Sequence, residues 1–337
     1  MIDLTTQYMG IKLKNPIIAG ASKLTSNMET IKKLEASGVG AIVTASLFEE
    51  QIQLEKFKMD EDREKYSDRH AEMITVFPEV EHAGPKEHLH WVRKAKENLS
   101  IPVIASLNAV HEETWIEYAR LLQETGVDGL ELNFYASPRN FNRDAVSIEQ
   151  EQISILERIK TNVKIPISVK LSPFYTNPLH FISRLDQAGV QGFVLFNRLF
   201  QPDIDAGKQE NIFLFHFSER SDNRLPLRYA GLLSGNIQAD ICSSTGIFEG
   251  EDAAKMILAG ATCVQTVSTL YKNGIEYITN MLENLKTWME QKGYASLSEF
   301  RGKMNKKNSK DPWVYTRAQY VKLLMNPEEI LGNVPLP

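Results

Sequence analysis

Cysteine is almost absent from this chain. Two thiols in 337 residues, Cys242 and Cys263, are too few for a disulfide framework. Both lie in apolar, strand-like runs, so they read as buried thiols in a reducing compartment, and a cytoplasmic location is expected. No apolar run approaches the length of a membrane span. The opening MIDLTTQYMGIKLKNP lacks the charged-then-apolar order of a signal peptide, so no membrane partner is expected. An excess of positive charge is also missing. The net charge of −5 argues against the basic face that nucleic-acid binding requires, and KMNKKNSK (303–310) reads as a solvated linker. There is no CxxC cluster for an iron–sulfur centre. Of the seven histidines, those of HLH (88–90) are alternate residues, which do not share a helix face, so no metal site is expected.

What is present is a repeated phrase. EASGVGAIV (35–43), QETGVDGLEL (123–132), DQAGVQGFVL (186–195) and LAGATCVQ (258–265) each read helix end, glycine turn, apolar run. NLSIPVIAS (98–106) and NVKIPISVK (162–170) open strands with Ile-Pro. With IIAGAS (17–22) and ADICSST (239–245), the chain has eight strand-length runs, starting near 17, 41, 102, 129, 166, 192, 239 and 263. Segments of helical period lie between most of them. In SNMETIKKLEAS (26–37), Ser26 and Glu29 have capping-box spacing, and Met28, Ile31 and Leu34 share a face. Trp115, Tyr118, Ala119 and Leu122 form another stripe. Apolar strands without alternation imply burial on both faces and a parallel sheet. The expected fold is an α/β (β/α)8 barrel, with a doubly wound sheet as the competitor.

Two gaps are too long for a single helix. The stretch 47–85 is charged and poorly periodic after residue 55, and 198–223 is a second excursion. Both would rise over the C-terminal rim, where barrels place their sites. That rim commonly grips phosphate with the loops after strands seven and eight. Here strand seven ends SSTGIFEGEDAAKMILAGA (243–261), whose small residues Ser243 to Gly246 let backbone approach an anion, with amides of the following helix start beside them. Strand eight ends TVSTLYKNG (266–274), offering the Ser268 and Thr269 hydroxyls.

MGIKLKNPIIAGAS, VKLSPF, SSTGIFEGEDAAKMILAGAT and MEQKGYASLSEFRGKM resemble the dihydroorotate dehydrogenases, FMN-containing barrels of pyrimidine synthesis. The similarity runs in order over about residues 2–304, leaving 305–337 as an extension. The resemblance implies FMN at the C-terminal mouth, a small-molecule substrate and a homodimer. It places Ala21 and Ser22 along the flavin ring, Ser46, Asn108 and Phe196–Asn197 at strand ends beside it, and Asn133 and Lys170 at the reacting part. Ser244, Thr245 and Gly246, with Val267 and Ser268, take the phosphate. A lysine suits this position because hydride transfer to flavin N5 leaves negative charge near N1; pairing with a carboxylate is the plainer alternative. AGLLSGN (230–236) looks like the family's flavin loop, but reading LPLRYAGLLSG (225–235) as a helix capped by Gly235 keeps a crossover before strand seven. The flavin contact then falls on Ser218, with Glu219 where the family has glycine.

The substrate half departs from the family. Its strand-two lysine is Ala45, and its asparagine-rich substrate loop has no counterpart in 47–85. The catalytic loop has become NFYASPRN. Aligned on its proline, Ser137 takes the base position; aligned on Asn133, Ala136 does and no base exists. Arg139 or Arg198 could replace the missing cation. The leading expectation is an FMN-dependent oxidoreductase acting on a CH–CH bond, with an altered substrate. The alternatives are a flavin-binding protein with little turnover, and an aldolase-like barrel using Lys170 as a Schiff-base lysine.

Overall fold

The structure is a computed structural model and describes residues 2–53, 85–134, 141–198, 202–212, 216–316, 321 and 325. Eight parallel strands close on themselves: β1 (Ile17–Ala19), β2 (Ala41–Val43), β3 (Val103–Asn108), β4 (Gly129–Phe134), β5 (Ile167–Leu171), β6 (Gly192–Leu195), β7 (Asp240–Ser244) and β8 (Cys263–Thr266). Each pairs with its successor, and β8 returns to β1 through Val264↔Ile17 and Gln265↔Ile18. The fold is the (β/α)8 barrel expected, and strand starts fall within one residue of those read from the sequence.

The helices packed outside are α1 (Met28–Ala36), α2 (Pro85–Asn98), α3 (Glu112–Gln123), α4 (Ala145–Asn162), α5 (Pro178–Gln187), α6 (Arg224–Leu233), α7 (Gly250–Ala259) and α8 (Tyr277–Lys292). Their apolar stripes meet the outward strand residues in one buried layer; Ile31, Leu34, Trp115, Tyr118, Ala119 and Leu122 all lie in it. The α1 cap differs from expectation. Asn27, one residue later than Ser26, caps the helix, its side chain accepting from the Thr30 amide at 3.0 Å. Ser26 instead closes a short 3-10 turn, donating to the Lys23 carbonyl. The helix expected over 225–235 is α6, which ends at Leu233; Ser234 is its C-cap and Gly235 follows at φ +75°.

Inside the barrel the side chains sort by height. Strand residues alternate faces, so on β4 Gly129, Glu131 and Asn133 point inward, while Leu130, Leu132 and Phe134 join the outer layer. The lowest interior level is apolar: Ile18, Val43, Ile104, Val194, Cys242 and Cys263. An N-terminal hairpin, Thr6–Tyr8 with Ile11–Leu13, plugs that end. Met9 and Gly10 both adopt positive φ in its two-residue turn, and Met9 donates to the Asp240 carboxylate at 2.8 Å. A Cβ at Gly192 would lie 2.8 Å from the Tyr8 hydroxyl, so glycine makes room for the plug. Both cysteines are free and buried here, and burial raises the Cys263 thiol well above its ordinary range.

The stretch 47–85 starts as a short strand, Leu47–Phe48, paired with β3 at Leu107 and Asn108. Its residues 54–84 lie outside those described. The stretch 198–223 carries a hairpin (Asp203–Asp205 with Glu210–Ile212) and a 3-10 turn at Arg220–Asn223. Near the C-terminal end of the described chain, Tyr315 packs against Gly231 of α6 and Arg228 donates to its carbonyl. Among the described residues no helix is long and apolar enough to cross a membrane.

Candidate active site

Above the apolar plug the barrel interior becomes polar. It opens at the C-terminal rim into a cavity of about 820 Å³, within the usual range for small-molecule sites. Ala21, Ser22, Ser46, Asn108, Asn133, Lys170, Asn197, Ser218, Ser244, Thr245, Gly246, Val267 and Ser268 line it, drawn from the ends of all eight strands. Phe196 does not. Its ring turns outward onto Tyr229, 5.0 Å away, and only its carbonyl serves the rim, accepting from the Thr245 hydroxyl. Ser137, Ala136 and Arg139 lie outside the described residues.

The floor is a buried polar cluster. Lys170 is 7% exposed, and its Nζ lies 3.1 Å from Gln265 Oε1 and 3.4 Å from Glu131 Oε1. The other end of the Gln265 amide donates to Glu131 Oε2. Lysine therefore does pair with a carboxylate, and it also faces the cavity, with one of its three N–H groups left for a ligand. Asn197 donates to Asn133 Oδ1 at 3.0 Å, fixing both amides beside it. Ser46 and Ser106 hydroxyls meet at 2.7 Å on the opposite wall. Glu131 and Gln265 did not stand out in the motif matches. The signal was a lone charge and a lone amide inside GLELNF and CVQT, at inward positions of their strands.

One end of the cavity is made by the turns after β7 and β8. Thr245 and Gly246 both have positive φ, bending the backbone around the mouth. Ser268 Oγ accepts from both the Ser218 amide (3.0 Å) and its hydroxyl (2.8 Å), and the Gly246 amide reaches Ser218 Oγ. Asp252, fully buried at the start of α7, holds this corner by accepting from Arg220, Asn223 and the Phe248 and Glu249 amides. That corrects one expectation. The Phe248 and Glu249 amides preceding α7 already serve a carboxylate, so they are not open to an anion. The amide-rich surface facing the cavity is the 244–246 turn and the chain at 267–268.

The other end is bounded by Phe48, Gln51, Ala45, His88 and Trp91. Glu49 anchors the start of the insertion here. Burial opposes its ionisation, but the His111 and Val110 amides and the His111 ring outweigh this and hold its carboxyl below the ordinary range. His88 Nε2 and Trp91 Nε1 are buried without a hydrogen-bond partner among the described residues. Burial lowers the His88 pKa to about 4, so the ring is neutral at pH 7. Because the folded pKa lies below the unfolded value, this contribution to stability is present above pH 6.5 and lost as pH falls toward 4. From pH 7.5 to 4.5 it should account for roughly 2–3 kcal/mol of the loss. Urea unfolding at both pH values should show that much less acid sensitivity in His88→Gln; an unchanged difference would refute the assignment.

The family model for dihydroorotate dehydrogenase matches residues 3–289. The catalytic subunit of dihydroorotate dehydrogenase B (NAD(+)) from Thermoplasma volcanium is 27% identical, the match covering 90% of this chain and 98% of that protein. The corresponding subunit from Methanocaldococcus jannaschii is 24% identical, over 89% and 97%. The NAD-dependent dihydropyrimidine dehydrogenase subunit PreA of Escherichia coli K12 is 24% identical, over 90% of this chain and 77% of that one. A barrel with a polar, lysine-floored mouth, matched by the family model over nearly its whole length, places this chain in the dihydroorotate dehydrogenase family of oxidoreductases acting on CH–CH groups.

Proposed function

We propose that the protein is an FMN-dependent dehydrogenase that oxidises a CH–CH bond of a small cyclic substrate. The observation that carries this reading is a buried lysine on the floor of a cavity whose far end is formed by two small-residue turns, after β7 and β8. The residues present fit the cofactor. The turn at Ser244–Gly246 and the chain at Val267–Ser268 would hold its phosphate, with Ser218 bridging them. Ala21, Ser22 and Ser46 offer small side chains along the path between phosphate and floor. When bound, FMN supplies acceptance of a hydride from a substrate C–H bond at its N5.

This chain's residues supply the rest. Lys170, itself buried at the cavity floor, stabilises the negative charge that hydride acceptance creates. Asn133 and Asn197, locked to each other, orient the ligand with amide groups. Ser137 is the proton acceptor in this reading, by its place in the NFYASPRN motif. The substrate end has Ala45 where the family has lysine, and Phe48, Trp91 and a neutral His88 surround it. Arg198, the candidate replacement cation, lines the same cavity but is already paired with Asp222 at 3.1 Å, so a substrate carboxylate finds less free cationic support and an uncharged dihydropyrimidine is favoured over dihydroorotate. Because relatives are named as subunits, a separate partner subunit belongs to this reading, and the family resemblance adds a homodimer.

The purified protein should be yellow, or its apoprotein should take up one FMN per chain. Anaerobic addition of dihydrouracil should then bleach the flavin faster than dihydroorotate does. A colourless protein that ignores added FMN would reject the cofactor; bound flavin bleached by neither compound would favour the flavin carrier with little turnover, which Ala45 also supports.

A further inference from the structure

We infer that Glu131, acting through Gln265, sets how strongly Lys170 stabilises negative charge at the cavity floor, and so is a positioning residue for the redox group. The inference rests on the flavin reading above. A carboxylate only 1% exposed in the wall of a barrel is costly unless its charge is matched. The β4–β5 register aligns Asn133 with Lys170 and puts Glu131 beside Ser168, one inward level lower. Glu131 therefore lies beneath the lysine, on the side away from the cavity.

Simple neutralisation would need only direct contact. Instead Nζ is nearer to Gln265 Oε1 (3.1 Å) than to the carboxylate (3.4 Å), and the amide's nitrogen end donates to Glu131. Gln265 comes from β8, which pairs with neither β4 nor β5, so this contact crosses the interior. Its amide lies with oxygen toward the cation and nitrogen toward the anion. In this arrangement it fixes the lysine's direction while passing on part of the carboxylate's charge. A Cβ at Gly20 would approach Gln265 Oε1 at 3.2 Å, so glycine at the end of β1 leaves the amide its place. Lysine thus meets the ligand as a partly compensated cation. Buried charges at such distances interact strongly, so the compensation should be visible in the cofactor's redox balance.

The test uses the FMN-loaded protein and its Glu131→Gln variant, with midpoint potentials from dye-equilibration titration and FMN affinities from titration of apoprotein. Without the carboxylate, the uncompensated lysine should favour the reduced, negatively charged flavin. The expected result is reduced FMN held roughly tenfold more tightly relative to oxidised FMN, a rise of ~30 mV for two electrons, with oxidised FMN bound within about threefold of wild type. In a Lys170→Met background the same substitution should shift the potential by less than half as much, because the effect runs through the lysine. Glu131→Thr, which removes the charge and suits a strand, carries the same expectation if the glutamine variant does not fold. An unshifted or lowered potential in a folded, FMN-binding variant overturns the role given to Glu131 and leaves the flavin reading standing. Failure of the wild-type protein to bind FMN overturns both.

Discussion

Lys170→Met should destabilise the folded apoprotein by about 3–5 kcal/mol, and adding Glu131→Gln should restore most of that loss. Nζ and both carboxylate oxygens sit in the barrel interior, where the lysine side chain is 9% and the glutamate side chain 1% exposed. Removing the cation alone strands a buried carboxylate with Gln265 as its remaining donor among the described residues. Breaking a buried pair from one side costs in that range, whereas replacing both charges together is often close to neutral. Urea unfolding of the two variants at pH 7.5 checks this. Equal instability of single and double variants would mean that lost packing, rather than an unpaired charge, governs the position. In the loaded protein, Lys170→Met should also slow anaerobic flavin reduction ~100-fold, the usual loss when one fixed stabilising group is removed from a dry site. A lysine that served only as the partner of Glu131 would leave that rate unchanged in the double variant.

The second large effect is expected at the phosphate end. Gly246→Ala should cost about 3 kcal/mol and weaken FMN binding at least ~100-fold. Gly246 has φ +74°, and a Cβ there would lie 2.5 Å from the Asn223 amide nitrogen and 2.9 Å from the Glu219 carbonyl oxygen. Those are backbone atoms of the turn that Asp252 pins through Arg220 and Asn223, so they have little freedom to yield. The preceding Thr245 already carries positive φ without being glycine, leaving the turn little tolerance for more strain. Gly126 is the control. It has φ +86° with nothing within 4 Å of the added carbon, so Gly126→Ala bears the conformational cost alone, about 1 kcal/mol, without change in FMN affinity. Calorimetric titration and urea unfolding separate the two positions. Similar behaviour of both alanine variants would show that the 244–246 turn is not a tight ligand cradle.

A proline- and glycine-punctuated alternation of apolar runs and helical stripes was sufficient for the barrel, because each signal is local. Glycine past a helix end, Ile-Pro before a strand and a stripe of four apolar residues keep their meaning wherever they stand. The strand ends that line the cavity were legible for the same reason, since a barrel rim collects the C-terminal ends of its strands. The outward turn of the Phe196 ring was not legible, because a motif position does not show which way a side chain points. The α1 cap moved by one residue because Ser26 and Asn27 are both competent caps, and the 3-10 turn before the helix decided between them.

Local patterns along the chain were enough for the barrel, the small-residue turns and Lys170 at a strand end. No local pattern shows that Lys170 meets Glu131 and Gln265, residues 39 and 95 positions away in the chain, or that Asp252 occupies the amides preceding α7. Barrel closure sets β8 across the interior from the paired strands β4 and β5. Side chains that meet there share no local pattern, so their pairing exists only once the sheet has closed.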